Sequence, residues 1–185
     1  MTNAVHPFEY LEALEQSASL YSARIPDVQT DTTSWNGICF MLGSQHLMVQ
    51  VGDISEILPV PQTTPLPGVK RWAKGIANVR GRLIPIVNLG EFLDNSSKSQ
   101  GNTSRILIVE RKDLSVGLVV DEVQGMMQFS NNSFSEELPA TLPDSLHPYT
   151  QGCYSQDAYL QDKKYAVFSI EQLISHERFL TAASE

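Results

Sequence analysis

The spacing of apolar residues changes once along the chain, close to residue 36. Before that point apolar side chains recur at intervals of three and four residues, which places them on one face of a helix; they are Phe8, Leu11, Leu14, Ala18, Tyr21 and Ile25. Pro26 would end this helix, and a polar linker follows over residues 27–34. We therefore predict an appended helix and linker over residues 1–34, whose apolar face packs either on the main domain or on a partner.

From residue 37 onward the period is two, which is typical of half-buried β-strands. Residues 37–60 predict two strands around a turn at Gly43-Ser44, with Leu47, Val49 and Val51 on one face. The Pro-rich stretch that follows cannot form a central strand, because proline has no N–H to donate.

A second hairpin is predicted around Arg80-Gly81, where glycine tolerates a positive φ. Pro85 inside its second strand indicates an edge strand or a bulge. The segment "NLGEFL" then predicts a short helical turn with Asn88 as N-cap and Glu91 three residues later.

The second half of the chain repeats this order of elements after a polar loop. Residues 49–57 align with 118–126, and residues 86–93 align with 167–174, each ending in a capped apolar turn. Gly75 and Gly152 open the corresponding hairpins. We therefore predict an all-β fold of about ten short strands that form two small barrels in a domain spanning residues 35–175, the first barrel over about 37–94, the second over about 105–175, and a tail over 176–185.

Composition limits the class of protein. The chain has 185 residues, 42% of them hydrophobic, and a net charge of −8, so it is globular and unsuited to general nucleic-acid binding. Its two cysteines are too few for a disulfide framework and predict buried thiols in a reducing compartment. We find no signal peptide and no apolar run long enough to span a membrane, which predicts a soluble cytoplasmic protein.

No catalytic constellation stands out in the sequence. The four histidines are scattered and make no metal-ligand spacing with either cysteine. Cys153 and His147 could be drawn as a nucleophile and its base, but six residues across a predicted loop give no indication of contact. We expect a protein that is not an enzyme and needs neither a metal nor a cofactor.

The turn around Arg80 concentrates positive charge in an acidic chain. Five cations lie there, and residues 57–90 contain no Asp or Glu, so we expect these cations to lack a local partner; they are Lys70, Arg71, Lys74, Arg80 and Arg82. Either they pair with the acidic remainder of the chain, or they form a surface for a partner. Arg80 is displayed at the hairpin tip, where its planar fork suits a carboxylate of another protein. Trp72 could anchor that partner or pack beneath the loop, and we favour packing.

The stretch "KGIANVRGRLIPIVNL" resembles the signature of CheW-like coupling domains. The resemblance extends to "ICFMLGSQHLMVQVGDISEIL", "RILIVE", "VGLVVDEVQGM" and "YAVFSIEQLI", and covers roughly residues 36–175. It implies two five-stranded barrels around a shared core and a non-enzymatic role. Such domains link the cytoplasmic tip of a methyl-accepting chemoreceptor to the regulatory domain of a CheA-type histidine kinase, in arrays at the inner membrane.

Motif alignment with that family places partner contacts on Arg80, Gly75, Ile54 and Glu56. Together with the basic turn, the predicted partner-binding residues are Arg80, Gly75, Asn78, Ile54, Glu56, Lys70, Lys74 and Arg82. Asn88 stands where many members have Asp, which puts any contact through that carboxylate in doubt.

The N-terminal helix and the segment "FSEELP" resemble the family's adaptors of type IV pilus chemosensory systems, which govern twitching motility. An adaptor of a flagellar-type chemotaxis array is one alternative. A small barrel that binds single-stranded nucleic acid through a basic groove is another, although the net charge opposes it.

Overall fold

The computed structural model describes residues 34–93, 101–111, 114–158 and 161–182. The predicted N-terminal helix lies outside these residues. The described strands are β1 (Ser34–Leu42), β2 (Gln45–Gln50), β3 (Glu56–Pro59), β4 (Ala73–Val79), β5 (Arg82–Asn88), β6 (Arg105–Arg111), β7 (Leu114–Val120), β8 (Glu122–Ser130), β9 (Phe134–Ser135), β10 (Thr150–Ala158) and β11 (Gln161–Phe168).

The described helices are short. They are α1 (Leu89–Phe92), α2 (Ile170–Ser175) and α3 (Glu177–Leu180), together with 3-10 turns at Val51–Asp53, Asn131–Ser133 and Asp144–Tyr149. Asn88 caps α1 by accepting from the Glu91 amide at 3.0 Å, and Ser169 caps α2 by accepting from the Gln172 amide at 3.3 Å. Both predicted caps are confirmed.

The strands form two sheets, so the predicted all-β fold with two small β subdomains is confirmed. One sheet has the order β3-β6-β7-β5-β4, and the other has the order β8-β1-β2-β11-β10-β9. The second sheet has six strands rather than the five predicted, because the two-residue strand β9 adds to its edge.

The predicted division into a first barrel over 37–94 and a second over 105–175 is wrong, because each half contributes a hairpin to the sheet of the other. The β1–β2 hairpin lies between β8 and β11, and the β6–β7 hairpin lies between β3 and β5. The loops after β2 and after β7 carry the chain across from one sheet to the other. Sequence order therefore does not separate the two sheets.

Strand register supports the predicted internal duplication. Each sheet has one parallel pair, β5 with β7 and β11 with β2. Ile86 lies opposite Gly117 in the first pair, and Val167 lies opposite Met48 in the second. The predicted alignment of the two halves makes these two pairings equivalent, so both halves build the same local arrangement.

The exchanged hairpins are buried on both faces, which explains their nearly continuous apolar sequences. In β1, Phe40 packs in the large cluster shared by both sheets, whereas Cys39 faces a smaller cluster inside its own sheet. In β6, Leu107 joins the same shared cluster and Ile106 faces the inside of the other sheet. The shared cluster therefore holds the two subdomains together.

Candidate partner-binding surface

The β4–β5 hairpin closes in a tight two-residue turn. Val79 lies opposite Arg82, which leaves Arg80 and Gly81 as the turn, with φ of 52° and 83°. Two successive positive φ angles are the signature of a type I′ turn, whose twist matches that of the flanking strands. The side chain of Asn78 supports the turn by accepting from the Gly81 amide at 2.8 Å.

Arg80 holds a backbone conformation that other residue types adopt more readily. It is the only non-glycine residue with positive φ among the described residues. For such a side chain the left-handed region costs roughly 1–2 kcal/mol. Its side chain is 72% exposed, so the turn displays the guanidinium at the surface.

Glu56, at the start of β3, lies beside Arg80. The Arg80 Nε is 3.2 Å from Glu56 Oε2, an oxygen that is buried but not aligned for a hydrogen bond with any described residue. Strands β3 and β4 are the two edges of their sheet, so this contact shows that the sheet curls until its edges approach. The structure thus brings together two residues that the sequence placed on the partner surface.

The expectation that the basic residues lack local partners is wrong for most of them. Lys74 binds both carboxylate oxygens of Glu91, at 2.6 and 2.7 Å, and Arg71 Nε lies 3.6 Å from the same carboxylate. Arg82 pairs with Glu110 on the neighbouring part of the sheet. These carboxylates stand just outside the acid-free stretch or come from a distant strand.

Lys70 differs from the other four cations. Among the described residues it has no acidic side chain within 4 Å. Its backbone N–H donates to the carbonyl of Ala182 at 2.8 Å, which fixes the segment after α3 against the start of β4.

Two of the predicted contact residues have clear structural roles. Gly75 is buried at a β-bulge with φ of 120°, and a Cβ there would collide with the Thr64 carbonyl. Ile54 is half-buried and packs against the shared core. Asn88, where the family often has Asp, is 3% exposed and caps α1, so its side chain serves the fold.

Several exposed apolar residues near this hairpin and on the sheet edges were not predicted from the sequence. Leu83 in β5 is 74% exposed, directly across from Asn78. Ile57 in β3 and Met126 in β8 occupy equivalent positions in the two halves and are both exposed. The alternation along β5 was the available signal, because Ile84 and Ile86 point inward and leave Leu83 on the outer face.

Trp72 packs beneath the surface, as the sequence favoured. It is 4% exposed, stacks on Phe179 with ring centroids 6.1 Å apart, and meets the Phe92 ring edge-to-face at 5.2 Å.

Several features bear on chemistry elsewhere in the chain. The Cys153 thiol is buried and donates to the Glu137 carbonyl at 3.2 Å, while the His147 ring lies 3.2 Å from the Leu142 carbonyl. Burial raises the pKa of the Cys39 thiol to about 12, which makes it a poor nucleophile.

Within the part of the chain described here, no three His, Cys, Asp or Glu side chains gather as a metal site would require. None of the described helices is long and apolar enough to cross a membrane.

Two small β subdomains around a shared core are the arrangement that the resemblance to CheW-like coupling domains implied. Residues 36–178 match the CheW-like domain family, and the chain belongs to that family. The family resemblance inferred from the sequence is confirmed.

Three known proteins illustrate the relationship. Protein PilI of Pseudomonas aeruginosa is 38% identical over 183 residues, which cover 99% of each chain. Chemotaxis protein CheW of Thermotoga maritima is 34% identical over 95 residues, covering 51% of this chain and 62% of that protein. The crystal structure of the scaffolding protein TtCheW from Thermoanaerobacter tengcongensis superposes with a TM-score of 0.63 at 25% identity, covering 74% of this chain and 84% of that one.

Proposed function

We propose that this protein is a non-enzymatic adaptor that couples a methyl-accepting chemoreceptor to a CheA-type histidine kinase, in the chemosensory pathway that controls type IV pili and twitching motility. It would act in the cytoplasm, at receptor arrays on the inner membrane. The similarity to Protein PilI supports the pilus pathway because it extends over 99% of both chains, whereas the similarity to the Thermotoga CheW covers half of this one.

The observation that carries the proposed surface is the conformation of Arg80. Strained backbone angles persist where the surrounding structure enforces them, and they cluster at functional sites. Stability alone would favour glycine or asparagine in this turn, yet an arginine stands there with most of its side chain exposed. The ion pair with Glu56 leaves room for a partner, because an exposed pair of this kind contributes only about 0–1 kcal/mol.

Glu56 also gives the surface a defined charge pattern. Its carboxylate orients the guanidinium while its own Oε2 lacks an aligned donor. A partner that places a carboxylate beside Arg80 would meet the exposed part of the guanidinium. Exposed Leu83 supplies an apolar contact on the same hairpin.

The kinase contact can be tested by calorimetric titration of the full chain with the regulatory domain of a CheA-like kinase from the same organism. Arg80→Asn is the informative variant, because asparagine tolerates positive φ and keeps the turn. Truncating a buried, hydrogen-bonded interfacial charge costs about 2–5 kcal/mol, so affinity should fall roughly thirtyfold or more. Lys164→Ala, which removes an exposed cation from the other sheet, should leave affinity unchanged.

Absence of binding between the wild-type chain and the kinase domain would overturn the adaptor proposal. If Arg80→Asn binds like the wild type, the same titration is repeated with the cytoplasmic tip of the chemoreceptor. Unchanged affinity for both partners would remove Arg80 from the interface while leaving the adaptor role intact.

The pathway is tested separately in cells. Deleting the gene should abolish twitching on a surface and leave swimming unchanged, with recovery when the wild-type gene is restored. Loss of swimming with normal twitching would instead assign the protein to a flagellar-type array.

Nucleic acid is not among the partners we propose. Lys74, Arg80 and Arg82 each face a carboxylate of the same chain, so the hairpin offers little free positive charge to phosphates. Titration with single-stranded DNA and RNA at low salt should give no signal, and saturable binding would contradict this.

A further inference from the structure

An apolar groove lies at the base of the β4–β5 hairpin, away from its tip. It has a volume of about 300 Å³ and lies between the start of β4, the middle of β5, the start of β7 and α3. The described residues that line it are all apolar or glycine, among them Leu66, Trp72, Pro85, Val116, Phe179 and Leu180. From Ala73 at the base to Val79 at the tip, β4 extends about 20 Å, which separates this groove from Arg80.

The groove has a rigid floor and an exposed rim. Trp72 and Phe179 stack at the floor and are 4% and 7% exposed. Leu66 and Leu180 are 42% and 64% exposed and present their side chains at the rim. An interior of this size accepts one or two apolar side chains and lies at the small end of the range for ligand pockets.

Positive charge flanks this apolar surface. Lys70 and Arg71 lie between two lining residues, Val69 and Trp72. Arg71 is 88% exposed, and its Nε lies 3.6 Å from an oxygen of Glu91. Lys74 already binds that carboxylate at the shorter distance of 2.6 Å. Lys70 has no acidic partner within 4 Å among the described residues.

Trp72 adds a second polar feature. Its indole Nε1 is buried and has no hydrogen-bond partner among the described residues. Leaving a buried donor without an acceptor costs free energy.

We propose that this groove binds an acidic peptide segment of a partner protein. One or two apolar side chains of the segment enter between Leu66 and Leu180, and its carboxylates face Lys70 and Arg71. Charge complementarity selects this occupant, since the rim is basic although the whole chain is acidic at −8. The site is separate from the hairpin tip, so it adds a second docking point to the proposed adaptor.

The probe for the test is a short synthetic peptide built from leucine and glutamate, compared with the same peptide carrying lysine in place of glutamate. Each is titrated into the full-length chain while tryptophan fluorescence is recorded, using the variant Trp35→Phe so that Trp72 alone reports. The leucine–glutamate peptide should bind with an affinity that falls as salt is added, and the lysine peptide should not bind.

Rim variants locate the binding. Leu180→Asp should weaken binding of the acidic peptide about tenfold or more, because the bound peptide would cover this leucine and such burial contributes that much affinity. Arg71→Glu should also weaken binding. The matched control is Met126→Asp, which changes a similarly exposed apolar side chain on the other sheet and should leave binding unchanged.

Four outcomes would overturn the proposal. Equal binding of both peptides would show that charge does not select the occupant. Binding that Leu180→Asp and Met126→Asp alter equally, or no binding at all, would exclude this groove. A dimer that light scattering detects and Leu180→Asp dissociates would assign the groove to a second copy of the chain.

Discussion

Gly75 shows how closely the backbone of a neighbouring segment can approach a strand. The carbonyl and amide of Thr64 pair with the amide and carbonyl of Ile76, at 2.9 and 2.8 Å. This pairing passes directly over the site where a side chain on Gly75 would project. A glycine that the family resemblance assigned to partner binding therefore has a direct role in folding.

Gly75→Ala should lower the free energy of unfolding by about 1–3 kcal/mol from its φ of 120° alone, with a further loss from the collision with Thr64. Urea denaturation followed by circular dichroism measures the change. Gly52→Ala is the matched control, because a Cβ at Gly52 meets nothing within 4 Å and that glycine lies outside the positive-φ range. Equal effects of the two substitutions would contradict this explanation.

Buried thiol and phenol groups make the stability of the fold sensitive to alkaline pH. Burial raises the pKa of Cys39 from its ordinary value of 9.0 to about 12, and it also raises the pKa values of Tyr149, Tyr154 and Tyr165. Above pH 9 the unfolded chain releases protons that the folded chain retains. The stabilisation is therefore complete below pH 9 and is lost as the pH rises towards 12.

We expect the free energy of unfolding to fall with rising pH above 9, by up to about 1.4 kcal/mol per pH unit for each fully titrating group. Urea denaturation at several pH values between 9 and 11 measures the slope. Cys39→Ala should make the slope shallower, since it removes one of these groups. An unchanged slope in that variant would show that Cys39 does not contribute.

Among the secondary-structure elements, α1 and α2 follow the same rule at equivalent places in the two halves. Each follows a strand that pairs in parallel with a hairpin from the other half, and each begins at a side chain that accepts from a backbone amide. The carboxylate of Glu91 binds Lys74, so its side chain links α1 to β4.

Asn88→Ala and Ser169→Ala should each lower the free energy of unfolding by about 0.5–2 kcal/mol, because each removes the acceptor at a helix N-terminus. Chemical denaturation measures both. Gln172→Ala provides the control: it changes an exposed side chain but retains the amide that Ser169 accepts from, so it should have little effect. If all three substitutions behave alike, the caps do not stabilise these turns.

For the molecule as a whole, the exchange of hairpins couples the two sheets. Each sheet contains two strands from the half of the sequence that mainly forms the other sheet. Unfolding one sheet would therefore displace those strands together with one wall of the shared core. The two subdomains should therefore unfold in one transition despite their separate sheets.

The two tryptophans can test this coupling. Trp35 stacks on Tyr154 in the β8–β11 sheet, and Trp72 stacks on Phe179 in the shared core. Trp35→Phe, which leaves Trp72 as the probe, and Trp72→Phe, which leaves Trp35, should each show fluorescence and circular dichroism midpoints that coincide in urea. Leu118→Ala should shift both probes by the same amount, about 2–5 kcal/mol in stability. Two separate midpoints would mean that the sheets unfold independently.

Local features were predictable from the sequence because they depend on residues close together along the chain. The period of two, the Arg80-Gly81 turn and the cap at Asn88 each arise within about four residues. The equivalence of residues 86–93 and 167–174 could also be aligned, because both halves retain the same order of elements.

Tertiary structure decided which distant residues meet. The sequence does not state that β1–β2 inserts beside β8, nor that Glu56, Glu91 and Glu110 supply the carboxylates for the basic turn. The groove beside Trp72 likewise exists only because α3 and β7 meet at the base of the β4–β5 hairpin. Strand pairing and ion pairing depend on contacts across dozens of residues, which apolar period and turn chemistry do not encode.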